Sequence, residues 1–166
     1  MKKIIVRIIS FFVGVGIAFL TESFFRGFIQ DIFQISTSDK IQFIGKNIHF
    51  IPNIIFLLTL GLSLVIFSIE NSDKNSSQIF INLIRSLFIF FISIILISAV
   101  DANLKVFECT NCIDGIRKLN WNDINYGIIL GSSILISIIP SLIKIKKTNS
   151  TKKYEIVDSK KNSYFS

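Results

Sequence analysis

Long apolar segments alternate with short polar ones along the chain. Crossing about 30 Å of hydrocarbon takes roughly 18 or more apolar residues in a helix, at a rise of about 1.5 Å per residue. The segments that meet this length are residues 4–22, 51–69, 79–100 and 126–143. Backbone polar groups in lipid must be paired within the spanning segment, and the alternating pattern of a barrel strand is missing. The pattern therefore predicts an all-α integral membrane protein with four transmembrane helices in a bundle.

An amphipathic stretch follows the first of these spans. Its large apolar residues recur with helical spacing, at Phe24, Phe25, Phe28, Ile29, Ile32 and Phe33. Arg26, Gln30, Asp31 and Gln34 occupy the other face. This periodicity predicts an amphipathic helix in the loop 23–50, lying in the outer headgroup region or on a partner. The simplest form of this prediction is a connector that covers the end of the bundle, and the alternative is a dedicated docking surface.

The distribution of positive charge predicts the orientation. The side that takes both chain termini and the link after the second span holds twice as many Lys and Arg residues as the side that takes loops 23–50 and 101–125. Positive charge is retained on the cytoplasmic side of a membrane, so both termini are predicted to be cytoplasmic. The membrane domain then comprises residues 1–143, and the basic tail 144–166 is expected to be disordered and held near anionic lipid.

The first 18 residues also have the basic start and apolar middle of a cleavable secretory signal. Arg7 interrupts the apolar part, however, and apolar residues continue past Ala18. We therefore expect this segment to be kept as the first span.

Composition narrows the setting and the classes of partner. Apolar residues make up 51% of the chain although its net charge is +7, so the two kinds of residue are segregated into blocks. Frequent Ile, Phe, Asn and Lys are typical of an AT-rich genome, and we expect the cytoplasmic (inner) membrane of a bacterium. The lipid bilayer is the expected partner, together with other membrane proteins or further copies of the chain. Nucleotide-binding glycine loops and nucleophile motifs are missing, and no cofactor, metal or nucleic-acid partner is predicted.

The only cysteines, Cys109 and Cys112, form a C-x-x-C in the predicted outer loop. In an oxidising envelope a lone pair favours a structural disulfide that closes a tight turn. In a redox interpretation, Cys109 attacks a partner disulfide and Cys112 resolves the mixed disulfide, with nearby cations such as Lys105, Arg117 or Lys118 favouring the thiolate. A zinc site needs four ligands, which one chain does not supply and a homodimer would.

Four predicted spans with an outer C-x-x-C at Cys109 and Cys112 resemble the quinone-coupled thiol oxidases of the DsbB and vitamin K epoxide reductase type. The resemblance is limited to this motif and the number of spans, and it implies thiol oxidation at this pair. Those families use a second cysteine pair, which this chain lacks.

Ionisable residues at the outer ends of the spans form a second candidate site. Glu22 and Arg26 have the i, i+4 spacing of a helical ion pair. His49 and Asn53 share a face at the start of the second span, and Asp101 ends the third span on the same side. These residues are predicted to form a polar cluster at the outer mouth of the bundle, although charges at this depth also commonly just mark the headgroup boundary.

Small residues predict where helices approach closely. Ser10, Gly14 and Ala18 form one ridge of the first span, and Gly127 and Gly131 form a GxxxG at the start of the fourth. We expect these two stripes to pack the first helix against the fourth.

The function predicted from these patterns is that of a non-catalytic accessory, assembly or interaction subunit of a cytoplasmic-membrane complex. The alternative is an envelope thiol-disulfide oxidoreductase that uses Cys109 and Cys112. A small channel or carrier is a third hypothesis, but acidic residues are missing from the centre of every span.

Overall fold

The computed structural model describes the backbone of residues 2–37, 41–45, 53–108, 112–113 and 116–163, with side chains for 4–37, 41–45, 53–106 and 118–146. The elements are α1 (Lys2–Thr37), β1 (Ile41–Ile44), α2 (Ile54–Glu70), α3 (Ser76–Glu108), β2 (Cys112–Ile113), β3 (Ile116–Asn120) and α4 (Tyr126–Ser163), with a short 3-10 turn at Trp121–Asp123. The prediction of a largely helical chain is confirmed.

Three helices are long and apolar enough to cross a membrane. Their apolar parts are Ile4–Thr37, Ser76–Val106 and Tyr126–Lys146. The fourth apolar helix, α2, has 17 residues and so lies at the lower limit of the usual spanning length. Large side chains such as Phe12, Leu20, Phe88 and Ile143 are exposed on the outside of the helices. Such a surface is suited to lipid rather than to water.

The helices follow one another around the bundle in the order α1, α2, α4, α3. Helix α1 packs against α2 and α3, and α4 packs against the same two helices. Although link 71–75 is short, α2 and α3 lie diagonally across the bundle and are joined at the link by contacts of Glu70 and Asn71. Helices packed about 10 Å apart leave a diagonal of about 14 Å, which a five-residue link spans at about 3.3 Å per residue.

Gly14 of α1 faces α2. A Cβ atom added to Gly14 would lie 2.8 Å from the Cα atom of Gly61 and 2.8 Å from the backbone oxygen of Leu60. Ala18 is fully buried, and Ser10 donates a hydrogen bond to the backbone oxygen of Val6. The backbones of α1 and α2 therefore approach closely, as small residues allow.

The glycines of α4 also face α2. A Cβ atom at Gly127 would overlap the side chain of Asn53, and one at Gly131 would lie 2.7 Å from the Cγ2 atom of Ile55. The expected packing of α1 on α4 is thus corrected, because Gly14, Gly127 and Gly131 all lie against α2, and α1 and α4 contact each other little. A small-residue stripe marks a close approach but does not identify the partner helix.

A three-stranded sheet lies at the end of the bundle where α2 and α4 begin, which corrects the prediction of an all-α fold. The strand order is β1-β3-β2, with β1 parallel and β2 antiparallel to β3. Ile41 and Leu119 of the sheet are buried, as are Ile29 and Phe33 of α1. We call this the sheet end, and the opposite end, which holds link 71–75, the link end.

The predicted amphipathic helix is the second half of one continuous helix, α1. Ile29 and Phe33 are fully buried, and Phe25 and Phe28 pack on the same core. Its apolar stripe therefore covers protein rather than headgroups. The cause is that α3 and the sheet extend alongside α1 and provide a surface on which it packs.

The backbone of the basic tail is helical as far as Ser163, because α4 continues without a break. The expected disorder of the tail 144–166 in solution stays a prediction. Extending an existing helix requires no new nucleus, so a polar segment without glycine or proline continues a helix more readily than it starts one.

Candidate functional site

An ion pair of α1 lies buried at the sheet end. The Nε atom of Arg26 donates to Oε1 of Glu22 at 2.8 Å, and both side chains are only 6% exposed. The backbone N–H of Asn53 donates to Oε2 of Glu22 at 2.9 Å. Since Asn53 is the N-cap of α2, the carboxylate lies at the positive end of that helix.

Arg26 extends this contact to α4. Its guanidinium lies 4.8 Å from the ring centroid of Tyr126, a cation–π distance. The Tyr126 hydroxyl accepts a hydrogen bond from Gln30 and donates one to the backbone oxygen of Trp121, each at 3.0 Å. We call Glu22, Arg26, Gln30, Asn53 and Tyr126 the sheet-end cluster. It joins three helices through charge-assisted and polar contacts.

Trp121 connects this cluster to the sheet. Its ring stacks on Phe43 of β1 with centroids 4.1 Å apart and planes 10° apart. Its partner follows from the parallel pairing of β1 with β3, which sets Phe43 opposite Leu119.

The structure brings together three of the five residues predicted for the outer polar cluster, namely Glu22, Arg26 and Asn53. Asp101 lies on α3 in a shallow groove that Val100, Leu104 and Ile128 also line. His49 lies outside the described residues.

The C-x-x-C region is described only in part. Cys109 lies outside the described residues, and for Cys112 the structure gives the backbone alone. Cys112 lies in β2, and its pairing partner across β3 is Arg117. The disulfide, the redox pair and the metal site all remain predictions. Among the side chains that the structure describes, no group of three or more His, Cys, Asp or Glu residues has metal-binding geometry.

A second charged cluster at the link end was not recognised in the sequence. Oε1 of Glu70 lies 3.0 Å from Nζ of Lys74, 3.4 Å from Nη2 of Arg85 and 3.8 Å from Nζ of Lys144. The carboxylate thus joins the end of α2 to α3 and α4. The Glu70 side chain is 2% exposed, whereas those of Lys74, Arg85 and Lys144 are 26%, 28% and 50% exposed.

Amide side chains complete this link-end cluster. Asn82 donates to Oδ1 of Asn71 at 2.7 Å, and Oδ1 of Asn82 accepts from Lys144 at 3.4 Å. Asn71 in turn donates to the backbone oxygen of Phe67 at 2.8 Å. The i, i+4 spacing of Glu70 and Lys74 was a detectable signal. The contacts to Asn82 and Lys144 join distant segments, and local spacing does not reveal them.

A cavity of about 180 Å³ lies inside the bundle and is not closed off from its surface. All four helices line it, chiefly with apolar side chains and with the hydroxyls of Thr21, Ser63, Ser86, Ser137 and Ser141. It extends along α2 from Phe56 to Phe67, which is about 17 Å at about 1.5 Å per residue. The cavity is therefore long and narrow.

Comparison with known protein families, curated proteins and solved structures found no match. The two charged clusters, the cavity and the exposed surface are the features of the chain that bear on its function.

Proposed function

We propose that this chain is a four-span protein of a bacterial cytoplasmic membrane, with both termini in the cytoplasm, that acts without catalysis as an accessory or assembly subunit of a larger membrane complex. The link end then faces the cytoplasm and the sheet end faces the envelope. Fifteen further residues of α1 follow Glu22, and the last seven of them follow Gln30, so α1 extends about 10 Å beyond the sheet-end cluster.

The observation that carries the subunit role is an apolar side chain exposed on this extension. Ile35 is 79% exposed, and it lies about 20 Å along the helix from Glu22. The apolar part of α1, Ile4–Thr37, is about 50 Å long, which exceeds the roughly 30 Å of hydrocarbon. With the hydrocarbon centred on the part of the bundle where all four helices run side by side, Ile35 lies outside it, and contact with another protein would cover this side chain.

The sheet-end cluster supports a structural role as well. Glu22 and Arg26 are matched one to one and contact the backbone of α2 and the ring of α4. The two charges thus neutralise each other within the bundle, although Nη1 of Arg26 has no hydrogen-bond partner among the described residues. Such an arrangement holds the helices in position beneath the extension that carries Ile35.

The subunit role is tested by mild-detergent co-purification of the wild-type chain and of Ile35→Lys. The control is Gln34→Lys, which adds the same charge at a neighbouring exposed position. We expect Ile35→Lys to lose partner proteins that the wild type and Gln34→Lys retain. Recovery of the same proteins by all three chains would refute the subunit role.

Sidedness is tested separately with a reporter protein that is active only in the cytoplasm. Fused after Ser166 it should be active, and fused after loop residue Asn122 it should be inactive. The reverse result would overturn the orientation without affecting the subunit role.

An envelope thiol-disulfide oxidoreductase is the second candidate, and the strand register favours it. Cys112 pairs with Arg117 across the hairpin, which sets a cationic residue opposite the predicted resolving thiol. In the proposed step, the Cys109 thiolate attacks a partner disulfide and releases one partner thiolate. The Cys112 thiolate then displaces the other, so the pair is oxidised to a disulfide and the partner gains two electrons and is reduced to a dithiol.

Mass analysis after thiol alkylation, with and without reductant, separates the two candidates. A pair that is fully oxidised in cells and resists mild reductant supports a structural disulfide. A mixture of thiol and disulfide forms in cells would favour the oxidoreductase. In that case Cys109→Ser should abolish both the mixture and the reduction of the partner disulfide.

A further inference from the structure

The link-end cluster holds more positive than negative charge. Three cations, Lys74, Arg85 and Lys144, surround one carboxylate, that of Glu70. The carboxylate is buried, while each cation is partly exposed. The cluster therefore presents an excess of two positive charges outward, and an anion placed there would be attracted by all three cations.

One hydrogen-bond donor of this cluster also lacks a partner within the bundle. The Nε atom of Arg85 is buried and makes no hydrogen bond to the residues that the structure describes. A buried donor of a charged group costs free energy unless it is satisfied. Guanidinium groups commonly bind phosphate oxygens through two parallel N–H donors, of which Nε–H is frequently one.

The cavity approaches the carboxylate that these cations surround. Ser141 lines the cavity and also lies beside the Glu70 carboxyl. Leu83, Ser86 and Leu87 of α3, the helix that carries Arg85, line it too. The cavity is partly open at the surface of the bundle, and a ligand can enter it from there.

We propose that the cavity and the link-end cluster form a binding site for one anionic phospholipid. One acyl chain lies along the cavity, and the phosphate lies against Lys74, Arg85 and Lys144. A ligand with a long apolar chain and a charged phosphate matches both the narrow shape of the cavity and the excess charge at its end. This inference rests on the proposed membrane location, but it is independent of the subunit role.

The test is a lipid titration of the purified chain in non-ionic detergent, followed by native mass spectrometry. The probes are phosphatidylglycerol, phosphatidylcholine with the same acyl chains, and inorganic phosphate. We expect phosphatidylglycerol to bind at least about tenfold more tightly than phosphatidylcholine, because each nearby cation favours an anionic lipid by about fivefold. Inorganic phosphate should bind far more weakly than either lipid.

Two variants test the two parts of the site. Lys74→Gln with Lys144→Gln removes two cations but leaves Arg85 to pair with Glu70, and it should weaken phosphatidylglycerol binding by about 25-fold. The control, Arg7→Gln with Lys146→Gln, removes two exposed cations outside the cluster and should leave binding unchanged. Ser86→Phe fills the cavity and should weaken both lipids alike.

Equal binding of the two lipids, or an equal loss in the control variant, would refute a specific anionic site. The proposal would also fail if inorganic phosphate bound as tightly as phosphatidylglycerol, or if the Ser86→Phe variant bound both lipids as tightly as the wild type. Either result would show that the cavity has no role in binding. Membrane location is read separately, from whether the wild-type chain requires detergent for extraction. Its failure is therefore distinguishable from failure of the lipid site.

Discussion

Replacing Glu22 by Gln provides the most direct test of how the sheet end is held together. Glutamine keeps the size of the side chain and an oxygen for the backbone N–H of Asn53, but it removes the charge that compensates Arg26. Breaking a buried pair at one partner costs about 3–5 kcal/mol, because the other charge remains buried. The side chains of Glu22 and Arg26 are both only 6% exposed, so solvent offers little screening.

The fluorescence of Trp121 provides the assay. It is the only tryptophan and stacks on Phe43 at the sheet end, so its emission reports whether this end is folded. Unfolding by an anionic detergent in mixed micelles should require less detergent for Glu22→Gln than for the wild type. Asp31→Asn, which removes an exposed acid from the same helix, should behave as the wild type.

A double variant isolates the contribution of the ion pair. Arg26→Met removes the cation that Glu22→Gln leaves uncompensated. The double variant should therefore lose about 2 kcal/mol less stability than the sum of the losses in the two single variants. A loss of only about 0.6 kcal/mol in Glu22→Gln would be that of one hydrogen bond between membrane helices. That result, or strict additivity, would refute an uncompensated charge as the cause.

Three further changes test other contacts in the same unfolding assay. Gly14→Ala should destabilise the bundle by about 1–3 kcal/mol because its methyl group meets the backbone of α2. Gly16 has open space around it, so Gly16→Ala should stabilise α1 by up to about 1 kcal/mol. Equal effects of the two substitutions would contradict the close approach of α1 and α2. Phe43→Ala should shift the emission of Trp121 to longer wavelength and remove about 0.5–1.5 kcal/mol of ring stacking, and an unchanged spectrum would argue against the stack. Asn82→Leu should cost about 1–3 kcal/mol because the oxygen of Asn71 loses its donor, and a neutral result would show that water replaces it.

Periodicity and local spacing predicted the features that depend on nearby residues. Apolar length predicted the helices, and the i, i+4 spacing of Glu22 and Arg26 predicted their pair. Asn53 was expected near them because it begins the next helix at the same depth. These contacts follow from helix geometry and from one further constraint, namely that the helices end at the same depth along the bundle.

Features that depend on distant residues were not predicted. The sheet pairs Ile41 with Arg117, and such pairing leaves no local signal in strands as short as these. The glycines of α1 and α4 show that a close approach occurs, but the diagonal arrangement of α2 and α3 decides which helix approaches. The same arrangement brings Lys144 to Glu70, and for this reason the link-end cluster was missed.

The two charged clusters differ in net charge, and we expect them to have different roles for this reason. At the sheet end one cation faces one carboxylate, and the pair is enclosed by α2 and Tyr126, so it has no excess charge with which to attract a ligand. At the link end one buried carboxylate holds three partly exposed cations beside an open cavity. Removing Glu22 should therefore loosen the bundle, whereas removing Lys74 should leave the bundle folded and change what it binds. A loss of stability in Lys74→Gln as large as that in Glu22→Gln would contradict this division.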